Sequence, residues 1–239
     1  MLGLSNSVSG SSYTSLDLKE RTSSLELWFK NNTGVTAAKW TDSSGNDNHA
    51  TQSTEGNQAT VSGGGLDFEE GNSEHYDLTS KITISANQGF CIAFVFTPEA
   101  TGGNCFFSDG SSEMIQLHNA SQIRIKTNDP GQITTDAIFE SGTFNAGTKF
   151  LVLINRSAGA SNRFTFFKNG TQLTPDTDTS SNEAEGENPN GLELSIFGSR
   201  DGSANFLDGI VDEIAFWSKG LNAQEIADVN SYLKEIHGL

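Results

Sequence analysis

Apolar positions along this chain fall into short runs separated by Gly, Asn, Asp and Ser, a rhythm of strands and turns. The rhythm starts at LELWF (25–29) and passes through GLDFE (65–69) and HYDL (75–78), which flank a turn at Gly71. GFCIAFVF (89–96) and KFLVLINR (149–156) are almost continuously apolar, which predicts central strands. NCFFS (104–108), MIQLHN (114–119), QIRIKT (122–127) and ITTDAIF (133–139) predict a meander. In QIRIKT, Ile123 and Ile125 alternate with Arg124 and Lys126, so one face of that strand is wet. RFTFFKNGTQL (163–173) reads as a hairpin, with Asn169 and Gly170 supplying the positive φ of a tight turn. ELSIFGS (193–199) and FLDGIVDEIAFWS (206–218) return to the sheet. Between hairpin and return lies a polar, acidic excursion, TPDTDTSSNEAEGENPN (174–190), long for a connecting loop.

The period becomes helical only at the end. Asn222 is placed to cap, Glu225 follows three residues on, and Ile226, Val229, Leu233 and Ile236 share one face. At the other end, residues 1–24 are polar and Ser-rich with scattered apolar points, among them Leu2, Leu4, Val8 and Tyr13. That segment predicts an extended arm, either a free tail or an anchoring strap for a neighbouring subunit. Residues 25–239 then form one sandwich-sized domain.

Charge narrows the partners. The formal net charge is −16, from 30 acidic and 14 basic side chains, a field that disfavours nucleic acid. The N-terminus has neither a charged n-region nor a sustained apolar stretch, so no signal peptide is expected. No apolar run approaches the roughly 20 residues of a membrane helix, so no membrane insertion is expected. Cys91 and Cys105 lie in apolar runs and are expected to be buried free thiols. The four histidines show no ligand spacing, and phosphate-loop, nucleophile-elbow and dinucleotide motifs are missing.

Two segments carry candidate chemistry. DSSGNDNH (42–49) is dense in oxygen ligands and turn formers, and is either a rigid hydrogen-bonded turn or part of a cation site. Asp212 and Glu213 are adjacent in a predicted strand and should face opposite ways, so they do not make a catalytic carboxylate pair. Trp28 and Trp217 are expected in the core. Trp40 is open to either a core or a sugar-stacking role.

Three pieces, in this order, resemble the laminin-G-like branch of the concanavalin A-like lectin and glucanase superfamily. They are Trp40 with Asp42, Ser44, Gly45, Asn46 and Asn48; the aromatic strand and turn at Phe166, Phe167, Asn169 and Gly170; and Gly209, Asp212, Glu213, Phe216, Trp217 leading into Leu221–Ile226. The resemblance implies an all-β, antiparallel jelly-roll β-sandwich with one C-terminal α-helix behind the arm. It brings the 42–49 segment toward Asp212, so a structural calcium ion on Asp42, Asn46 and Asp212 is an expectation. It also implies ligand contacts from end loops, for which Trp40, Asn48, Arg200 and Asp201 are the candidates. The Glu-x-Asp-x-x-Glu strand of the superfamily's glucanases is missing, which argues against an enzyme and against a glycoside hydrolase in particular. The opening LGLSNSVSGSSY, leading into LELWFKNNTGV, is similar to virion structural proteins of tailed, particularly marine, bacteriophages. That similarity implies a non-enzymatic capsid decoration or tail or fibre component, assembled in the host cytoplasm and released by lysis. Its partners would be other virion proteins and a host-surface glycan. A free carbohydrate-binding lectin is the alternative.

Overall fold

The computed structural model describes residues 17–161 and 163–239. A short helix, α1 (Leu18–Arg21), precedes strands β1 (Leu25–Phe29), β2 (Val35–Thr36), β3 (Lys39–Trp40), β4 (Ala50–Thr51), β5 (Thr60–Ser62) and β6 (Gly65–Phe68). Next come β7 (Tyr76–Ile84), β8 (Phe90–Pro98), β9 (Asn104–Asp109), β10 (Glu113–Asn119), β11 (Gln122–Thr127) and β12 (Ile133–Ile138). The remainder are β13 (Phe150–Arg156), β14 (Phe164–Lys168), β15 (Thr171–Leu173), β16 (Thr177–Ser180), β17 (Leu192–Phe197), β18 (Gly209–Trp217) and helix α2 (Ala223–His237).

The strands pair into two antiparallel sheets. One is eight-stranded, ordered β15-β14-β13-β8-β18-β6-β5, with β1 also paired to β18; the other is ten-stranded, ordered β16-β12-β11-β10-β9-β17-β7-β4-β3-β2. Their inner faces meet in an aromatic core, where Phe94 stacks on Phe106 at 3.9 Å and Phe29 on Trp40 at 5.4 Å. The runs of β8 and β13 are continuously apolar because their sheet is buried on both sides. Its outer face carries a second core of Trp28, Cys91, Val95, Leu151 and Trp217, closed by Leu18 from α1 and by Ile226, Val229, Tyr232 and Leu233 from α2. Trp28 and Trp217 are core residues, as expected, but lie under the helix rather than between the sheets.

Several expectations need adjusting. Leu2, Leu4, Val8 and Tyr13 lie outside the described residues. The arm expected to reach residue 24 stops short, since Leu18 is 0 % exposed and Thr22 Oγ1 accepts a 2.7 Å bond from Trp217 Nε1. GLDFE and HYDL do flank a turn, yet β6 and β7 belong to different sheets. The hairpin forms with Asn169 and Gly170 at φ 49° and 80°. The 174–190 excursion is part of the sandwich, because β16 extends the ten-stranded sheet and Asn188 and Asn190 are buried.

Helix α2 starts as its capping box predicts, with Asn222 Oδ1 accepting from the Gln224 and Glu225 amides and Glu225 Oε2 accepting from the Asn222 amide. Its last turn departs from the expected stripe. Ile236 is 50 % exposed, and the helix meets the sheet there through His237 instead. Cys91 and Cys105 are buried and unpaired, because β8 and β9 lie in opposite sheets.

Candidate functional site

The turn after Trp40 is built around one carboxylate. Asp42 Oδ1 accepts from the Trp28 and Ser44 amides, both at 2.8 Å, while Oδ2 accepts from Ser44 Oγ at 2.7 Å and the Asn48 amide at 3.0 Å. Asn46 and Asn48 donate from their Nδ2 groups to the Glu26 carbonyl. These residues therefore bind the turn to β1. Asp212 is engaged elsewhere, its Oδ1 accepting from Lys149 Nζ at 2.9 Å. The structure thus groups Asp42, Asn46 and Asn48 but gives Asp212 a different partner.

Trp40 and Asn48 are buried rather than presented on the surface. The Trp40 ring is buried against Phe29 and its Nε1 donates to the Lys30 carbonyl, because its side of β3 faces the inner core. Asn48 is buried by its bond to β1.

The Asp212–Glu213 pair departs from simple alternation. A bulge in β18 shifts its register against β8 between Val211 and Glu213, while Val211 and Ile214 both stay in the inner core. Glu213 consequently faces the outer, helix-covered side, while Asp212 stands at the bulge and reaches Lys149. Glu213 Oε1 accepts from Trp28 Nε1 at 2.7 Å, and Oε2 lies 2.8 Å from His237 Nε2. Both are buried, Glu213 between Trp28 and His237 of α2 and Asp212 beside Lys149 with its Oδ2 unpartnered among the described residues, so they do not make a catalytic pair.

A second acidic group lies at the β9–β10–β17 end of the other sheet. Carboxylate oxygens of Asp109, Glu113 and Glu193 come within 4.8 Å of one another, and Glu113 and Glu193 line a pocket of about 300 Å³ with Asp129. Burial pushes the Glu113 carboxyl up to about 7, against a bond from the Glu193 amide that lowers it. Lys81 Nζ bridges the other two, at 2.9 Å from Asp109 and 2.8 Å from Glu193. The remaining group of this kind among the described residues is Glu69, Glu99 and Asp208.

The most distinctive polar surface is the outer face at the centre of the ten-stranded sheet. Ile123 and Ile125 enter the core, so Arg124 and Lys126 project outward from β11. Register places Gln116 opposite Arg124 and Met114 opposite Lys126 on β10, Cys105 opposite Gln116 on β9, and Asp136 opposite Arg124 on β12. Asp136 grips Arg124 through two bonds, Nε to Oδ1 at 2.7 Å and Nη2 to Oδ2 at 3.0 Å. Arg124 Nη1 lies 3.5 Å from His118 Nδ1, and burial together with the Arg124 charge lowers the His118 pKa.

A tight turn brings Arg200 to this face. Asp201 and Gly202 are both left-handed, at φ 62° and 61°, and Arg200 and Ala204 exchange backbone bonds across them. Ser108 fastens the turn to β9, its Oγ donating to the Ser199 carbonyl at 2.8 Å and accepting from the Asp201 amide at 3.1 Å. Arg200 acts electrostatically on Cys105 and on Lys126. Arg200 is therefore part of the face, whereas exposed Asp201 serves as the turn former. Arg124, Lys126, His118 and Gln116 were missed as functional candidates. The alternation of QIRIKT marks the wet side of a strand but does not say what gathers there from other strands.

The laminin-G-type model of the concanavalin A-like lectin/glucanases superfamily matches residues 70–227. No curated protein matches the sequence. Among solved structures, the binding domain of Paraclostridial Mosquitocidal Protein 1 superposes with a TM-score of 0.59 at 16 % identity, covering 90 % of this chain and 53 % of that one. A Trypanosoma rangeli sialidase superposes at 0.52 and 14 % identity, covering 90 % of this chain and 33 % of that one. Domain 4 of a Geobacillus stearothermophilus extracellular arabinanase, in complex with arabinotriose, superposes at 0.50 and 12 % identity, covering 86 % and 98 %. This chain thus spans about half of the first and a third of the second.

Proposed function

The chain belongs to the concanavalin A-like lectin/glucanases superfamily, and from that premise we propose that it is a non-catalytic, glycan-binding module. The observation that carries this reading is the outer face of the ten-stranded sheet. There, hydrogen-bonding side chains from β10, β11 and β12 and a clamped turn stand in fixed register on a rigid support. The arabinanase domain shows the same architecture spanning nearly its whole length with a trisaccharide bound. Catalysis finds less support. Glu213 is sealed under α2, Asp212 is buried beside Lys149, and Lys81 holds both carboxylates that stand around Glu113.

Titration of the protein against a panel of oligosaccharides tests this reading, with saturable binding expected and no release of reducing sugar. Hydrolysis that disappears in Glu113→Gln would instead place an enzyme at the acidic pocket. The finer reading is that this lectin-like module is carried on a phage particle as a capsid decoration or tail component, attached through residues 1–16. Mass spectrometry of purified virions checks it, and absence of the chain from particles would leave the free lectin.

A further inference from the structure

We propose that the outer face of the ten-stranded sheet recognises a sugar bearing a negative charge, a carboxylate or sulfate ester, held between Lys126 and Arg200. The inference deepens the glycan-binding reading and rests on it.

Charge distribution is the first argument. Acidic side chains outnumber basic ones 30 to 14 in this chain, yet Arg124, Lys126 and Arg200 converge on one patch. Asp136 is the counter-ion there, and its two oxygens are both taken by Arg124. Among the described residues, neither the Lys126 ammonium nor the Arg200 guanidinium has an ion pair or side-chain hydrogen bond within the protein, and Arg200 Nε is buried without a partner. Burial first, then the Arg124 and Arg200 charges, push the Lys126 pKa down, against the Asp136 carboxylate, which raises it, so a second anion would further relieve the ammonium.

Rigidity is the second argument. The β10–β11 register fixes the strand position from which Lys126 projects, and the Ser108-clamped turn fixes that of Arg200. Gln116, opposite Arg124 and 2 % exposed, adds an Nε2 donor with no protein acceptor. Leaving such a buried donor unmet carries a penalty that a ligand oxygen or water offsets.

The ligand class follows from scale. Guanidinium and ammonium groups bind carboxylate and sulfate oxygens through charge-assisted bonds. A sugar with one such substituent meets only the local positive patch, while a polyphosphate chain would run out over a surface of net charge −16.

Isothermal titration distinguishes the cases with three probes of matched length: an oligogalacturonate, a sulfated galacto-oligosaccharide and a neutral galacto-oligosaccharide. Wild type should prefer one charged probe, and which one identifies the substituent. Lys126→Ala and Arg200→Ala should each weaken that probe roughly tenfold or more with unchanged melting temperature, and salt should weaken it further. Lys39→Ala, which removes a cation from the outlying β3 strand, should leave it unaffected. Neutral and charged probes binding alike, with no effect of Lys126→Ala, would overturn the anionic specificity while sparing the lectin reading. A failure of all three probes and of the wider panel would overturn both.

Discussion

At the scale of single residues, Asp42 shows how a segment rich in metal-ligand side chains also satisfies itself. Its two oxygens receive four hydrogen bonds, two of them from backbone amides of the same turn and one from the amide of Trp28 across the gap to β1. Removing that acceptor strands buried donors, each at about 1–3 kcal/mol. Asp42→Ala is therefore expected to destabilise the fold by roughly 2–4 kcal/mol, with Asp42→Asn milder because one oxygen remains. Chemical denaturation measures both. If hydrogen bonding alone sustains the turn, a chelator leaves the melting temperature where it was. A chelator-sensitive melt that is abolished in Asp42→Asn would point back to a cation at this turn. The sequence made the turn legible, but it left open whether the oxygens serve amides or an ion. That depends on β1, which lies 14 residues before Asp42 at Trp28.

Among elements, the strands that face one core or two were readable from their apolar runs. β8, β13, the meander β9–β12 and the capped α2 all lie where periodicity put them. Three features were not readable because non-local contacts decide them: the bulge in β18, the docking of α1 and the ordering of 174–190. The last draws on Arg156, which stands with Asn155 at the end of an otherwise apolar strand. Buried over the Phe90 ring, it donates from Nη1 to the Asn188 and Asn190 carbonyls and from Nη2 to the Gln88 carbonyl, with no ion pair to a carboxylate among the described residues. Burial pulls its pKa down to about 10. Arg156→Met would leave three carbonyls without their donor and is expected to cost on the order of 3 kcal/mol or more. It should also speed proteolysis within 174–190 before the sheets open, which limited digestion followed by mass spectrometry reads. The docking of α1 gives a separate expectation. A chain lacking residues 1–24 should melt below one lacking only 1–16, because only the longer deletion removes Leu18 from the helix-side core and Thr22 from Trp217. Equal melting temperatures would contradict this account of the first described segment.

For the whole molecule, the excess of carboxylates and their placement give stability a definite dependence on pH. Asp67, Glu74, Glu113 and Asp178 all have raised pKa values, with burial the largest cause in each. A carboxyl that holds its proton more tightly when folded contributes stability that is complete below its unfolded pKa, near 4, and fades as pH rises through its folded value. For Glu113 that fading extends to about pH 7. Asp109, Asp136 and Glu225 oppose this, since their lowered values, gained from hydrogen bonds and charges despite burial, give stability that is lost only as pH falls through their folded values. The two trends cross in the mildly acidic range, and the net charge of −16 adds self-repulsion that also grows as carboxylates ionise. The melting temperature is thus expected to be higher near pH 5.5 than near pH 8. Salt separates the causes: it screens the diffuse repulsion but not the burial of Glu113, so a residual slope between pH 5.5 and 7 should survive in high salt. Glu113→Gln keeps the acceptor for the Glu193 amide without the ionisation, and should flatten that residual slope while raising the melting temperature at neutral pH. Calorimetric scans of both proteins across this range decide the matter, and a wild-type melting temperature that climbs from pH 5.5 to 8 would refute the assignment of Glu113 as a buried acid held protonated by the fold.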